Sequence, residues 1–152
     1  LLKNVKVPTA VDPVSVDHCQ KLKSIIHLAY AIKPNEKEME ELSGTGDIKK
    51  AKDYFLNKGV KEVFFSLGER GLYYADGKTS ERIVHPVENI INTNGAGDTM
   101  TAGLIYGKIN NFSLHDTAKA GVAAACISLQ SDPDAMSLLS VNKLKAKMEE
   151  IK

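Results

Sequence analysis

The sequence predicts an α/β protein built on parallel strands, and three observations carry that expectation. Short β-branched or apolar runs, most of them closed by proline or glycine, alternate with segments of helical periodicity. Residues 62–67, Glu-Val-Phe-Phe-Ser-Leu, are apolar on both faces, the composition of a strand covered on both sides. A lean loop, Asn92-Thr93-Asn94-Gly95-Ala96-Gly97-Asp98-Thr99, runs without a break into a helical stretch.

Length and composition bound the answer. The chain has 152 residues, 43% hydrophobic and 26% charged, the make-up of a soluble globular protein with one core, so one domain over residues 1–152 is expected. A net charge of +1 without a basic tract gives no long-range case for nucleic acid or an anionic membrane. Cys19 and Cys126 lie far apart and outside any zinc or redox spacing, and they read as reduced thiols of an intracellular protein. No apolar run approaches the roughly 20 residues needed to span a bilayer, so a cytoplasmic location is the default. The chain opens Leu1-Leu2-Lys3 and reads as a piece of a longer protein that starts in mid-fold.

Taken in order, residues 5–12 read as a buried strand stopped by Pro13, which leaves Asp12 at a carboxyl end, the edge where open α/β sheets bind ligands. A helix cap or loop carboxylate is the plainer role for Asp12. Residues 17–27 suit a short helix with Leu22, Ile25 and Ile26 inward, and residues 29–33 a second strand ended by Pro34. Asn35 then caps a helix with Glu38 three positions on as its reciprocal partner. Residues 47–58 form an amphipathic helix closed by Gly59.

The strand at 62–67 leads through Gly68-Glu69-Arg70-Gly71 to a strand and hairpin-type turn over 72–77. Residues 82–87 look extended. After the glycine loop, Ala102, Leu104, Ile105 and Ile109 are expected to pack one face of the helix down. A helix rich in small residues covers 114–130, Ser131-Asp132-Pro133-Asp134 breaks the chain, and residues 141–151 form a last amphipathic helix. His18, His27, His85 and His115 show no ligand spacing.

The glycine loop carries the chemistry. Gly95 and Gly97 can take backbone angles that side chains resist, and Ala96 keeps the loop narrow enough for a ligand to reach the main chain. A helix start presents unpaired N–H groups and partial positive charge, so its natural guest is an anion such as phosphate. Asp98 then has two readings: an ordinary first-turn acid stabilised by the helix dipole, or a base that takes a proton from a nucleophile attacking the phosphate.

Asn-Thr-Asn-Gly-Ala-Gly-Asp-Thr, followed by Ala102-Gly103 and an Ala-rich helix, resembles the C-terminal signature of the PfkB/ribokinase family of carbohydrate and nucleoside kinases. The resemblance implies the C-terminal portion of a ribokinase-like three-layer αβα sandwich, with an anion hole of Gly95, Ala96 and Gly97 and a catalytic base at Asp98. Asn35 and Glu38 match the family's Asn-x-x-Glu motif, which organises Mg2+ and the ATP phosphates, often through water. Ser66-Leu67-Gly68-Glu69-Arg70-Gly71 resembles its Thr-Leu-Gly-x-x-Gly nucleotide loop, so Ser66, Gly68, Arg70 and Gly71 are carried over to ATP. Val122 falls where a nucleotide-contacting residue lies.

Asn92 and Asn94 are carried over to a K+ site, but the family pattern has Asp where Asn92 stands. An amide offers no charge, so K+ binding would weaken or give way to a hydrogen bond. The resemblance covers only the C-terminal half of the family's fold, and the N-terminal half holds most acceptor contacts. Val11-Asp12-Pro13-Val14-Ser15, Ile32-Lys33-Pro34-Asn35 and Gln130-Ser131-Asp132 are similar to the pseudouridine-kinase branch, which makes a C-nucleoside the first-choice acceptor and a pentose or hexose the second. An isolated half would expose an apolar sheet edge and tend to aggregate or form a homodimer. Two other classes remain as rivals: a nucleotide-binding regulatory module without activity, and a dinucleotide-dependent oxidoreductase. No Gly-x-Gly-x-x-Gly follows a first strand to support the latter, and no Gly-Lys-Ser/Thr supports a P-loop kinase.

Overall fold

The computed structural model describes residues 5–132 and 140–152. The chain break expected at Pro133 and Asp134 lies outside them. By their contacts the described residues form two compact units, one of residues 5–68 with 72–82 and the other of residues 69–71 with 83–132 and 140–152.

The first unit is built on a mixed sheet. Its strands are β1 (Ala10–Val11), β2 (Ala31–Ile32), β3 (Glu62–Ser66), β4 (Leu72–Ala75) and β5 (Ser80–Ile83, its last residue counted with the second unit), in that spatial order. β1, β2 and β3 run parallel, and β4 returns antiparallel to β3 with Val63 opposite Ala75 and Ser66 opposite Leu72. β3 is therefore central, as the apolar run Val63-Phe64-Phe65 on both of its faces predicts. Three helices accompany the sheet: α1 (Val16–Lys23), α2 (Glu36–Ser43) and α3 (Ile48–Asn57). Asp47 caps α3 by accepting the amides of Lys49 at 2.9 Å and Lys50 at 3.0 Å, and the Lys50 amide in particular holds its carboxyl below the usual range. Phe55, Phe65 and Tyr73 contact one another in series through the core, the first pair tilted with centroids 5.6 Å apart and the second stacked at 5.7 Å.

Three expectations need correction here. β1 spans Ala10–Val11 rather than residues 5–12, because Pro8 lacks an N–H and β2 offers only two residues to pair; Val5 and Val7 stay exposed. The helix expected over 17–27 ends at Lys23, and a 3-10 turn at Ile26–Leu28 follows, since the β-branched pair Ile25-Ile26 is a poor helix former. The extended stretch lies at β5, and residues 84–90 carry no regular structure.

The second unit is helical: α4 (Ala96–Ile109), α5 (Leu114–Leu129) and α6 (Val141–Glu150). Of the apolar face expected on α4, Leu104 alone is buried. Thr99, Gly103, Leu104 and Gly107 are buried, whereas Ala102, Ile105 and Ile109 are exposed. Close approach of α5 explains the difference: a Cβ on Gly103 would overlap the Ala120 carbonyl, one on Gly107 would lie 2.9 Å from Thr117 Cα, and one on Gly121 would lie 2.8 Å from Leu104 Cδ2. Helices whose facing residues are glycine and alanine sit close together, so the contact runs through the small residues and turns the isoleucines outward. Burial pushes the Cys126 thiol up, with nearby Lys147 opposing and Glu150 adding to the effect. Among the described residues no helix is long and apolar enough to cross a membrane.

Candidate active site

The candidate residues fall into two groups, one in each unit. Asn35, Glu38, Ser66 and Gly68 belong to the first, and Arg70, Gly71, Asn92, Asn94, Gly95 to Asp98 and Val122 to the second.

In the first unit the parallel strands bring Asn35 and Ser66 together, although 30 positions separate them in sequence. Asn35 forms a lone parallel bridge with Ser66, and the Ser66 amide donates to the Pro34 carbonyl at 3.1 Å. Asn35 also caps α2 as expected: its Oδ1 accepts the Glu38 amide at 3.0 Å, and Glu38 Oε2 accepts the Asn35 amide at 2.9 Å. Glu38 is 3% exposed, so the box fixes a carboxylate at the carboxyl edge of the sheet. Its second oxygen is not used by the box.

That donor set, one carboxylate oxygen and an amide with no third ligand, suits a cation that keeps most of its water. No cluster of three or more His, Cys, Asp or Glu that could cage a metal occurs among the described residues.

Sequence reading missed Lys33. It is 7% exposed, and its Nζ lies 3.0 Å from Asp12 Oδ2 at the carboxyl ends of β1 and β2. Asp12 is therefore a loop carboxylate with a buried cationic partner. The available signal was a lysine closing an otherwise apolar run, where a charge needs a partner to be buried.

Beyond β3 the chain makes a 3-10 turn at Gly68–Arg70, with Gly68 at φ 59° and Gly71 at φ 83°. Both glycines occupy the left-handed region, which side chains resist. Gly68 and Arg70 are exposed.

In the second unit the loop before α4 is tied to the end of α5. The Ile91 and Asn92 amides donate to the Leu129 carbonyl at 2.8 and 3.3 Å, and Gln130 Nε2 donates to the Glu88 carbonyl at 2.9 Å. The Asn92 side chain closes on its own loop, accepting the Asn94 amide at 3.0 Å and donating to the Asn94 carbonyl at 3.4 Å. Gly95, at φ 77°, is the N-cap residue of α4 and supplies no side-chain cap, so the first-turn amides stay available to a ligand. Asp98 sits in that first turn and is exposed. Thr99 Oγ1 donates to the Gly95 carbonyl at 2.8 Å, which anchors the turn from behind. Val122 is buried on α5 at 5% exposure. An uncapped helix start with a solvent-facing carboxylate can hold an anion and take a proton beside it.

The model of the pfkB family carbohydrate kinase matches residues 1–138. Pseudouridine kinase of Escherichia coli K12 is 38% identical over 104 residues, which cover 64% of this chain and 33% of that protein. Ribokinase of Lactococcus lactis is 29% identical over 120 residues, covering 79% of this chain and 39% of that one. A Clostridium perfringens crystal structure named for a sugar kinase superposes with a TM-score of 0.88 at 34% identity, over 99% of this chain and 50% of that one. Ribokinase from Thermotoga maritima superposes with a TM-score of 0.85 at 24% identity, a likeness of fold alone. The fold is ribokinase-like, and the chain spans about half the length of these solved relatives and a smaller share of the curated ones.

Proposed function

Because this chain belongs to the pfkB family of carbohydrate kinases, we propose that it is the nucleotide-binding and catalytic part of an ATP-dependent kinase acting on a primary hydroxyl of a nucleoside or sugar. The observation that carries the reading is the start of α4, where uncapped amides and an exposed Asp98 share one turn. Pseudouridine is the first-choice acceptor, supported by the 38% identity to the Escherichia coli enzyme of that name; ribose and fructose follow.

Each residue then has a task. The Asp98 carboxylate takes the proton of the attacking hydroxyl. The amides of Gly95, Ala96 and Gly97 stabilise charge on the transferring phosphoryl group, and the donors are already oriented, so little reorganisation is needed. The turn from Ser66 to Gly71 receives the nucleotide with its main chain, Arg70 adds a cation for phosphate, and Val122 backs the base. Asn35 and Glu38 would hold magnesium through water, and that ion supplies charge neutralisation on the triphosphate. The Asn92 turn offers carbonyl oxygens but no carboxylate, so any K+ held at Asn92 and Asn94 is weakly bound.

Calorimetric titration of the complete polypeptide separates this reading from the dehydrogenase alternative. MgATP is expected to bind in the micromolar to millimolar range typical of enzyme substrates, roughly 1 μM to 1 mM, and NAD to give no heat. Preference for NAD over ATP would overturn the assignment.

A further inference from the structure

A buried ion pair stands at the carboxyl edge of the first unit's sheet. Lys33 is 7% exposed, and its Nζ lies 3.0 Å from Asp12 Oδ2. Exchanging such a pair for apolar side chains is often neutral or stabilising, so stability does not account for it. Its place in the sheet supplies a reason. β1 pairs with β2 at Ala10–Ala31 and Val11–Ile32, and the Lys33 amide donates to the Val11 carbonyl at 2.9 Å, so the ladder carries on and sets Asp12 beside Lys33. On the other side Ala31 pairs with Glu62, Ile32 with Val63 and Asn35 with Ser66, at one constant offset. No bulge therefore interrupts residues 31–35, and the pleat turns Lys33 and Asn35 to the same face. The ion pair and the Asn35–Glu38 box thus share one face of the ligand edge, about 7 Å apart along the strand.

We infer that Asp12 is a positioning residue for the magnesium–triphosphate site: it holds the Lys33 ammonium toward β1 and cancels its charge, so that the Asn35–Glu38 box meets a cation as net negative. The inference rests on the kinase reading above. Glu38 is the carboxylate of the box, and an uncancelled ammonium about 7 Å along the strand would offset its charge. Without Asp12, that ammonium would repel magnesium and draw the bare triphosphate. Without Lys33, the Asp12 carboxylate would do the reverse. Removing both restores the balance. A pair that served folding alone would instead weaken both forms of the nucleotide in every variant.

Calorimetry of the complete polypeptide, with ATP in excess EDTA and with MgATP, gives the ratio of the two dissociation constants, and melting curves follow the fold. For Asp12→Asn the preference for MgATP over bare ATP is expected to fall about tenfold, the scale of one charge acting on a divalent ion at that separation. For Lys33→Met it is expected to rise by a similar factor. The double variant should return to the wild-type preference. Asp12→Asn leaves a buried charge unpaired, which destabilises the fold; if it does not fold, Lys33→Met and the double variant decide. An unchanged ratio, shifts in one direction in both single variants, or a double variant that keeps the Lys33→Met shift overturns the inference, while a wild-type preference for MgATP leaves the kinase reading standing. Wild type that binds neither form overturns the functional reading and this inference together.

Discussion

Asp98→Asn is expected to lower kcat by about 10²- to 10⁴-fold, the scale of a lost general base, with the affinity for ATP kept. The amide has the shape of the carboxylate but cannot take the proton. The main-chain N–H of residue 98 and those before it remain in place at the start of α4, so the anion site persists. Removing a negative charge beside the phosphates lessens repulsion, and ATP binding should if anything tighten. The cost to folding is small, because a first-turn acid contributes only about 0.3–1 kcal/mol through the helix dipole. Steady-state kinetics with parallel ATP calorimetry read both effects. A variant with near-normal kcat would remove Asp98 from the base role.

Gly71→Ala is the second large effect, and it acts through the backbone. Gly71 sits at φ 83°, where an L side chain costs roughly 1–2 kcal/mol. An added Cβ would overlap the Ile83 carbonyl oxygen and lie 3.0 Å from Val84 Cα. Neither is the end of a flexible side chain, so β5 and the turn must part. Overpacking of this kind costs about 1–3 kcal/mol more, and the total should appear as a clear drop in the denaturation midpoint. ATP affinity should fall with it, because the displaced turn is the proposed nucleotide loop. Gly77→Ala is the control: it lies in an open turn with nothing within 4 Å of the built Cβ, and it should leave both quantities nearly unchanged.

Local signals in the sequence held where local physics decides the structure. The Asn35–Glu38 capping box formed as the spacing requires, with Asn35 Oδ1 on the Glu38 amide and the carboxylate returning the bond. β3 is central because its middle residues, Val63, Phe64 and Phe65, are apolar on both faces and all buried. Gly95 takes the left-handed angle that opens α4. Periodicity failed on α4, where Ile109 is 73% exposed and Gly103 is buried. A hydrophobicity count cannot see that a neighbouring helix rich in alanine approaches too closely for isoleucine. The Asp12–Lys33 pair was hidden for another reason: its partners lie on adjacent parallel strands, and nothing in sequence spacing reports such a register. Val14, at φ 68°, departs from the preference of a β-branched residue, and no periodicity or turn signal in the sequence reports it.

The account rests on phosphoryl transfer, and the most direct measurement is transfer itself. The complete polypeptide, incubated with MgATP and pseudouridine, uridine, ribose or fructose in turn, is followed by phosphorus NMR for the new phosphomonoester. A 5′-phosphate of pseudouridine, formed by the wild type and lost in Asp98→Asn, is the predicted result. ATP bound but transferred to none of the four acceptors would contradict it and favour a regulatory nucleotide-binding module.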